Sequence, residues 1–508
     1  MNVIFWNGGI KIGMTSRYIG PYKVAHWIRK HGYQAQVLEF SNAWQEKNLY
    51  RITKKFLTTN TQILAISTTF LALAKHAWSD GSEHRMPETI VKVARRIKSE
   101  YPNIKIVIGG YQADLLSGYG VVDVSVMSYT AASEDIFLEY LEHLIKGTPP
   151  PIGRLIFPKS DYDDNKPRMW YDTARNPKYN IELDDFRFIK ADCILPGEPL
   201  PLDISRGCIF ACKFCQYPHL GKGKLDYIRG MEYIEQEILE NYKNFGTTRY
   251  YILDDTFNDT EIKMQAFYDM TQRLPFKISY SAYLRADLID RFPNMAYLLK
   301  ESGCFGAYHG IESFHPEASK LVGKAWSGKR GKDFLPELYH NIWKGEVPMH
   351  TNFIVGFTGD TQKNIDDTVS WFLNNDMHSI NFNYLSLFGP KNDNSIYTVQ
   401  SEFDKNAEKY GYVFLEPPNG GFRSWKTDNW TTKTAVESAN AANELVKDVS
   451  RALTWYNPGL EWYGYTKQEI LRLKRCDVPW GESGFTEITR KNQNTYFDMV
   501  MALKLGAG

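Results

Sequence analysis

The amino-terminal part of the chain alternates short, almost wholly apolar runs with segments of helical periodicity. The apolar runs are "NVIFW", "QAQVLEF", "QILAIST" and "IKIVIGG". Between them, "PETIVKVARRIKSEYP" places apolar residues at helical spacing behind Pro87, which suits a helix start. Apolar strands that alternate with helices predict a parallel sheet covered on both faces. We therefore predict an α/β fold in which residues 1–147 form a doubly wound domain, with ligands beyond the carboxyl ends of its strands.

A second alternation of strands and helices occupies residues 201–395. Its strand candidates are "PLDISRG", "RYYILDD", "KISYSAYL", "GAYHGIES", "HTNFIVGF" and "SINFNYLSLF". Six parallel strands with helices outside predict a partial, TIM-like (β/α)6 barrel, whose chemistry lies at the strand carboxyl ends. Residues 148–200, rich in Pro, Asp and Lys, are predicted to be a linker. Residues 396–508 are predicted to be a mostly helical region that covers the barrel and selects substrate.

Composition excludes several classes of protein. The chain has 508 residues, of which 23% are charged, so we expect a globular protein of several domains. Lys and Arg total 60 against 59 Asp and Glu. The chain therefore lacks the excess of basic residues that would indicate a nucleic-acid partner. The start has no signal-peptide pattern, and no apolar span approaches the roughly 20 residues that cross a bilayer. We therefore expect a soluble cytoplasmic protein with no membrane partner.

Three of the six cysteines lie close together, in "RGCIFACKFC". Cys208, Cys212 and Cys215 follow the first barrel strand, so they occupy a loop at its carboxyl end. A structural zinc site closes four ligands, and only His219 is near enough in sequence to be the fourth; a zinc knuckle is therefore the alternative. An iron–sulfur cluster held by three thiolates keeps one iron open for a substrate or cosubstrate. The other cysteines, expected to be buried apolar side chains, are Cys193, Cys304 and Cys476.

The spacing C-x3-C-x2-C, with an aromatic residue before the last cysteine, resembles the signature of the radical S-adenosylmethionine (SAM) superfamily. The resemblance implies that Cys208, Cys212 and Cys215 are the catalytic metal ligands. They would hold a 4Fe-4S cluster whose open iron binds the amino and carboxylate groups of SAM. One electron from the cluster then cleaves SAM to a 5′-deoxyadenosyl radical. Phe214 is implied to pack near the adenine.

Two segments after the cysteines also resemble segments of the family. Asp254 and Asp255, in "ILDDTFN", are adjacent carboxylates that need a cation or hydroxyl donor to offset their lost solvation. The resemblance implies that the ammonium group or the ribose of SAM is that partner, and helix capping is the alternative. Arg285, in "SAYLRADLI", is implied to face the SAM carboxylate as a bidentate donor.

The fourth and fifth strands extend the resemblance. Glu312 and Ser313 end "GAYHGIES" and are implied to bind the amino group or the ribose. Gly356, in "NFIVGF", is implied to lie under the adenine, where the backbone must approach the ligand. Three tyrosines near the strand ends are either proton or electron relays or packing residues, and packing is favoured: Tyr283, Tyr308 and Tyr384.

The amino-terminal domain resembles the Rossmann-like, cobalamin-binding domain that precedes the barrel in the class B-like subgroup of the superfamily. Gly109 and Gly110 end a strand where the family lets the backbone approach the corrin or its tail, and Ser67 and Thr68 are implied to line the same crevice. The chain departs from the family twice. The D-x-H-x-x-G motif with its cobalt-ligating histidine is absent, and "MSYTAASED" replaces the usual acidic stretch. The histidines expected to be solvated are His26, His31, His76 and His84.

The resemblance implies a cobalamin-dependent radical SAM enzyme, most commonly one that methylates an unactivated carbon. Two alternatives remain: a radical SAM enzyme with a cyclisation, rearrangement or oxidation reaction, with or without cobalamin, and a non-catalytic, metal-stabilised binding module. The implied partners are a small-molecule or peptide substrate and an external one-electron reductant of the flavodoxin or ferredoxin type. In the carboxy-terminal region, "GGFRSWKTDNW" is aromatic and cationic, which suits a planar or anionic substrate.

Overall fold

The computed structural model describes residues 1–8, 17–68, 86–110, 120–128, 133–149, 168–172, 180–215, 227–324, 326, 328–389, 401–415, 423–478 and 484–504. The chain forms two compact units. The first comprises Met1–Pro201, Gln236–Thr247 and Thr486–Gly508, and the second comprises Leu202–Glu235 and Thr248–Phe485. Within the described ranges, no helix is long and apolar enough to cross a membrane.

The first unit is built on a six-stranded sheet. Its strands are β1 (Val3–Trp6), β2 (Ala35–Leu38), β3 (Ile63–Ser67), β4 (Lys105–Gly109), β5 (Val124–Ser128) and β6 (Arg168–Asp172). They lie in the order β2-β1-β3-β4-β5-β6, and all neighbours are parallel. The helices are α1 (Ile19–Lys30), α2 (Glu46–Phe56), α3 (Glu88–Glu100) and α4 (Ser133–Lys146). The predicted doubly wound domain is confirmed, and its strand order reverses between β1 and β3, where such sheets bind ligands.

The second unit contains the barrel sheet. Its strands are β7 (Leu200–Leu202), β8 (Arg249–Ile252), β9 (Ser279–Leu284), β10 (Cys304–Glu312), β11 (Met349–Val355) and β12 (Ser379–Tyr384), and they lie side by side in chain order. Neighbours from β8 to β12 are parallel. A separate antiparallel pair is formed by β13 (Val413–Phe414) and β14 (Trp425–Lys426). Strands in chain order with helices between them confirm the predicted partial barrel.

The helices that follow β7 fall between the barrel strands and in the carboxy-terminal region. They are α5 (Met231–Phe245), α6 (Glu261–Arg273), α7 (Ala286–Arg291), α8 (Asn294–Glu301), α9 (Pro316–Val322), α10 (Gly328–Pro336), α11 (Gln362–Asn374), α12 (Glu402–Lys405), α13 (Thr432–Val446), α14 (Asn457–Trp462), α15 (Lys467–Arg472) and α16 (Gly484–Ala502). The predicted helical character of the carboxy-terminal region is confirmed.

Aromatic packing separates a helix-covered face of the barrel sheet from a concave face. Phe353 of β11 packs on Phe314, with ring centroids 4.9 Å apart, and Phe314 packs on Trp371 of α11 at 4.7 Å. Because side chains alternate along a strand, the neighbouring Asn352 points to the opposite, concave face. The concave face is where a barrel of this kind exposes side chains to a ligand.

The first unit includes two elements that the sequence predictions assigned to other parts of the chain. Strand β6, inside the predicted linker, pairs in parallel with β5. Helix α16, inside the predicted barrel-covering region, packs its Tyr496 ring 5.5 Å from the ring of Phe40. The Tyr496 hydroxyl also accepts a hydrogen bond from the backbone N–H of Glu39 at 2.8 Å. The last helix therefore completes the first unit.

A buried ion pair ties the segment before α1 to the residues that precede β7. Arg17 Nε lies 2.7 Å from one carboxylate oxygen of Glu198, and Arg17 Nη2 lies 2.8 Å from the other. Arg17 Nη1 donates to the Tyr22 hydroxyl at 2.9 Å. The side chains of the pair are 0% and 6% exposed, so each charge depends on the other for compensation.

Replacing Glu198 with Ala is expected to lower the free energy of unfolding by about 3–5 kcal/mol, because it leaves the buried guanidinium without its counter-charge. Equilibrium urea unfolding measures the loss. The matched control is Lys92→Ala, which removes an exposed pair with Glu88 and is expected to cost about 0.5 kcal/mol or less. Similar losses in the two variants would contradict the expected role of Glu198.

Candidate functional site

The loop that carries three cysteines lies at the carboxyl ends of the barrel strands. The Cys208 sulfur lies 3.3 Å from the Thr256 hydroxyl, just beyond β8. The Cys212 sulfur accepts a hydrogen bond from Nη1 of Arg285, just beyond β9, at 3.8 Å. All six cysteines are free of disulfides, and the three of this loop are partly exposed. The thiols therefore meet donors from two successive strand ends.

Burial and nearby cations set the electrostatics of the cysteine loop. Among the described residues, no three His, Cys, Asp or Glu side chains come together as ligands of one ion. Burial raises the pKa of the Cys212 thiol, and the cations of Lys324 and Arg285 oppose that shift. His219, the alternative zinc ligand, lies outside the described residues.

Asp254 is an anchor within the protein rather than a group open to a ligand. It is fully buried. Its carboxylate accepts hydrogen bonds from the backbone N–H groups of Ile204 at 3.1 Å and Ser205 at 2.9 Å, and from the Ser205 hydroxyl at 2.6 Å. Lys263 Nζ lies 3.0 Å away. These four donors engage both oxygens of the carboxylate, and the implied contact between Asp254 and SAM stays a prediction.

Two guanidinium nitrogens of Arg285 already donate to a carboxylate of the protein, whereas the resemblance assigns this side chain to the SAM carboxylate. Its Nε and Nη2 atoms donate to the two oxygens of Asp287 at 3.0 and 2.6 Å. Its guanidinium carbon lies 4.1 Å from the ring centroid of Phe210, inside the cysteine loop. Only Nη1 reaches toward the thiols. The structure therefore places Arg285 beside the cysteine loop with Nε and Nη2 paired to Asp287, and its implied contact with the SAM carboxylate stays a prediction.

Glu312 ends β10 in a left-handed conformation, with φ of 68°, which is costly for a residue with a side chain. Its carboxylate accepts a hydrogen bond from Lys324 Nζ at 2.8 Å. A Cβ atom on Gly310 would lie 2.5 Å from a Glu312 carboxylate oxygen, so the carboxylate would have to shift if residue 310 carried a side chain. The adjacent Ser313 donates its hydroxyl proton to Asp360 at 2.8 Å. The left-handed backbone, the ion pair with Lys324 and the absence of a side chain at position 310 together fix the direction of the Glu312 carboxylate.

Gly356 has a structural partner of its own. Its φ is 113°, and a Cβ atom there would lie 2.5 Å from the indole of Trp425. The packing of Trp425 therefore requires glycine at position 356. The sequence interpretation explained this glycine by contact with a ligand. Phe214, from the cysteine loop, packs against Phe357 next to this glycine, with ring centroids 5.9 Å apart. The loop thus reaches across to the end of β11.

The carboxyl edge of the first sheet brings the four predicted crevice residues together. Ser67 of β3 is the register partner of Gly109 of β4. Thr68 donates its backbone N–H and its hydroxyl to the Gly109 carbonyl at 2.7 and 3.0 Å. Gly110 has φ of 110°, which favours glycine. A Cβ on Gly109 would meet only the Val126 carbonyl, at an ordinary 3.5 Å. Among the described residues, packing does not require glycine at 109, which fits a ligand lying over this edge.

Residues expected to lie outside the site are placed largely as predicted. Cys193 and Cys304 are buried, as expected, whereas Cys476 is exposed and the expectation for it was wrong. His31 is exposed, and His26 is half-buried. Two histidines lie outside the described residues, His76 and His84.

Aromatic rings line the concave face of the barrel. Tyr283 stacks on Trp455, with centroids 4.6 Å apart, and meets Tyr308 edge-on at 4.9 Å. Tyr308 in turn lies 4.4 Å from the ring of His350. Burial raises the pKa of Tyr283 to about 12, and the nearby charge of Asp255, which is half-buried, adds to the shift. These contacts favour the packing interpretation for Tyr283 and Tyr308.

Sequence reasoning missed the carboxy-terminal residues that reach this face. Trp455 follows Thr454, whose carbonyl accepts a hydrogen bond from the Ser281 hydroxyl of β9 at 2.7 Å. Arg475 Nη1 donates to the side-chain oxygen of Asn381 in β12 at 3.2 Å. The high density of tryptophan in this region was the available signal, but no local pattern encodes contacts over such sequence separations. Tyr384, the third predicted tyrosine, ends β12 and is half-buried.

Comparison with known sequences gives matches to the barrel and to methyltransferases. A family described as the Radical SAM superfamily matches residues 202–372. An uncharacterized methyltransferase of Pyrococcus horikoshii is 26% identical over 294 residues, which cover 56% of this chain and 60% of that protein. Bacteriochlorophyllide d C-12(1)-methyltransferase of Chlorobaculum tepidum is 23% identical over 194 residues, covering 38% and 40%. The chain thus spans 40% to 60% of these two relatives.

Two solved structures share the fold. The radical SAM methyltransferase TsrM of Kitasatospora setae, with tryptophan and a SAM analogue bound, gives a TM-score of 0.65 over 97% of this chain and 99% of that chain, at 14% identity. The cobalamin-dependent SAM radical enzyme OxsB, with aqua-cobalamin bound, gives a TM-score of 0.58 over 87% and 66%, also at 14% identity. At this level of identity the likeness concerns the fold.

Replacing Asp254 with Ala is expected to cost about 3 kcal/mol of unfolding free energy, because Lys263 and two backbone donors lose a buried acceptor. Asp255→Ala, at the partly exposed neighbour, is expected to cost about 0.5 kcal/mol or less. Urea unfolding of both variants distinguishes the buried anchor from its partly exposed neighbour. An Asp254→Ala protein as stable as the wild type would refute the anchoring role.

Proposed function

Since this chain is a member of the radical SAM superfamily through residues 202–372, we propose that it is a cobalamin-dependent enzyme that cleaves SAM reductively and methylates an unactivated carbon of its substrate. The observation that carries the proposal is the three-thiol loop at the carboxyl ends of the barrel strands. Further support comes from TsrM, a radical SAM methyltransferase with a structure that holds cobalamin and a [4Fe-4S] cluster, because this chain shares its fold.

Cys208, Cys212 and Cys215 are the proposed ligands of a 4Fe-4S cluster, and a three-thiol set leaves one iron for the amino and carboxylate groups of SAM. When bound, the cluster would supply the electron that splits one SAM into methionine and a 5′-deoxyadenosyl radical, which would take a hydrogen atom from the substrate carbon. Cobalamin would carry the methyl group of a second SAM to that carbon, and the external reductant would return cobalamin to the state that accepts a methyl group. Arg285 Nη1 and the Thr256 hydroxyl contact two of the sulfurs. Such contacts stabilise added negative charge on a cluster, so these residues favour its reduction.

Glu312 and Asp255 are the carboxylates that we propose for the ammonium group and the ribose of SAM. Glu312 is held in one direction by Lys324, and an aligned carboxylate binds an ammonium group by a charge-assisted hydrogen bond. Asp255 is partly exposed, unlike the buried Asp254. The adenine would lie near Phe214 and the ends of β10 and β11, where Ser313 and Gly356 are found.

Gly109 and Gly110, with Ser67 and Thr68, are the residues that we propose for cobalamin. The space over Gly109 supports this, since the described protein leaves it unfilled. Because the chain lacks the D-x-H-x-x-G motif, the proposed cofactor binds without a histidine from that motif on cobalt. The role of the domain is then to hold a flat cofactor at its carboxyl edge.

The protein's own contribution to the reaction is enclosure and delivery of the substrate. A primary carbon radical attacks what it meets first, so the stacked rings of Tyr283, Tyr308 and Trp455 serve to exclude water from the concave face. The other three cysteines are scattered in the sequence, so an external reductant of the flavodoxin or ferredoxin type supplies the electron. A reducing compartment such as the cytoplasm suits six free thiols.

Replacing Cys208, Cys212 or Cys215 with Ala is expected to abolish cluster assembly, because two thiolates do not hold the cluster. After anaerobic reconstitution, iron and sulfide should fall to background, and dithionite should yield no 5′-deoxyadenosine from SAM. The control is Cys476→Ala, an exposed thiol outside the loop, which should retain both. Iron binding and SAM cleavage by a protein that lacks all three loop cysteines would overturn the proposal.

Isotope labelling separates methylation from the other radical reactions. SAM with a deuterated methyl group is supplied with candidate substrates, and mass spectrometry follows the label. Transfer of the label to a substrate carbon is the expected result. Formation of 5′-deoxyadenosine with no label in any product would exclude methyl transfer and favour cyclisation, rearrangement or oxidation.

Gly109→Val is expected to reduce bound cobalamin at least about tenfold, because the branched side chain occupies the space over the strand end. The control is Gly120→Val, in the same domain, where a Cβ meets nothing within 4 Å. Cobalt per protein after anaerobic gel filtration gives the measurement, and circular dichroism confirms that both variants are folded. Equal cobalt contents would exclude Gly109 from the cobalamin site.

A further inference from the structure

A half-buried arginine faces the concave side of the barrel without an acidic partner. Arg475 follows α15, and its backbone N–H donates to the Ser450 carbonyl at 2.8 Å. Its Nη1 donates to the side-chain oxygen of Asn381 at 3.2 Å, and no carboxylate within the described ranges pairs with it. Burial lowers the pKa of Arg475, whereas hydrogen bonding and the charge of Asp287 raise the pKa of Arg285 above its usual range.

Three asparagines extend this polar surface along the strands. Asn383 Nδ2 donates to Asn352 Oδ1 at 2.7 Å, and Asn381 Nδ2 lies 3.4 Å from the same oxygen and 3.1 Å from Asn383 Oδ1. In the described part of the chain, the Asn352 amide nitrogen donates to no acceptor, and Asn383 is exposed. We call Asn352, Asn381, Asn383 and Arg475 the asparagine–arginine patch. The patch presents N–H donors and one full positive charge.

An aromatic wall lies beside the patch. Tyr283 is 37% exposed, although its ring stacks on Trp455, so one side of it remains open to a ligand. Burial raises the pKa of Tyr308, the nearby charge of Glu312 adds to this shift, and the charge of Arg475 opposes it. Asn352 of β11 is the register partner of both Gly310 of β10 and Asn381 of β12, and Asn383 is the partner of Ile354. The patch therefore lies at the same level of the sheet as the Glu312 end of β10.

A guanidinium that has left bulk water needs a counter-charge or a full set of hydrogen bonds, because desolvation of an ion is costly. The single hydrogen bond from Arg475 to the side-chain oxygen of Asn381 offsets only a small part of this desolvation cost. An entering anion would satisfy the fork of Arg475 bidentately and accept from the asparagine amides as well. The patch has the donor excess and the position that such an anion requires.

We propose that the asparagine–arginine patch binds the carboxylate of the substrate, and that the substrate is an acid whose planar apolar body lies against Tyr283 and Trp455. This inference rests on the proposed function, because it assigns a substrate class to the same concave face.

The test compares an acid with its neutral amide. Reconstituted full-length protein is titrated with 3-phenylpropionate and with 3-phenylpropionamide by isothermal calorimetry. The wild type is expected to bind the acid about 10- to 100-fold more tightly, since the charged contacts are lost with the amide. Arg475→Gln is expected to abolish this preference while leaving amide binding unchanged. The control is Arg472→Gln, an exposed arginine of the neighbouring helix, which should keep the preference.

Two outcomes would overturn the inference: no preference for the acid in the wild type, including no binding of either probe, or a preference that survives in Arg475→Gln. Cleavage of SAM without substrate is followed in the same samples. Arg472→Gln should still form 5′-deoxyadenosine, because it changes an exposed side chain outside both the patch and the cysteine loop. Absence of cleavage in the wild type would refute the proposed function, while the acid-to-amide ratio would still decide the inference.

Discussion

The buried carboxylate of Asp254 holds together the part of the chain on which the proposed chemistry depends. Its bonds to Ile204 and Ser205 fix the residues that lead into the cysteine loop. Lys263 joins it to a second buried carboxylate, Asp259, at 2.8 Å, and Asp259 accepts a hydrogen bond from the hydroxyl of Tyr227 at 2.8 Å. Residues that precede and follow the three cysteines in the sequence therefore belong to one ionic network.

Such a network gives position more than stability. Burying three ions costs several kcal/mol each, which their mutual attraction only roughly offsets. Apolar side chains at this place would stabilise the barrel equally well. They would not fix the position at which the loop leaves β7, because apolar contacts lack the directionality of hydrogen bonds. The thiols need that precision, since a cluster tolerates small errors in ligand position poorly. Ser205 precedes Cys208 by only three residues, so little of the precision is lost along the chain.

The fold and the cysteine loop were predictable from the sequence because both depend on local signals. Apolar strands, helical periodicity and the spacing of Cys208, Cys212 and Cys215 are all readable within short windows. The different roles of Asp254 and Asp255 were not predictable, because the burial of one and the partial exposure of the other depend on the tertiary structure. The same holds for Gly356, whose partner Trp425 is far away in sequence, and for Arg285, whose fork is occupied two residues away by Asp287.

Helix α16 has a consequence for biosynthesis. The Tyr496 hydroxyl meets the backbone of Glu39, so the first unit incorporates residues 457 positions apart in the chain. Roughly 300 residues separate the end of the first continuous segment from this helix, and a ribosome adding about 5–20 residues per second needs on the order of 15–60 s for them. During that interval the ring of Phe40 lacks its packing partner Tyr496.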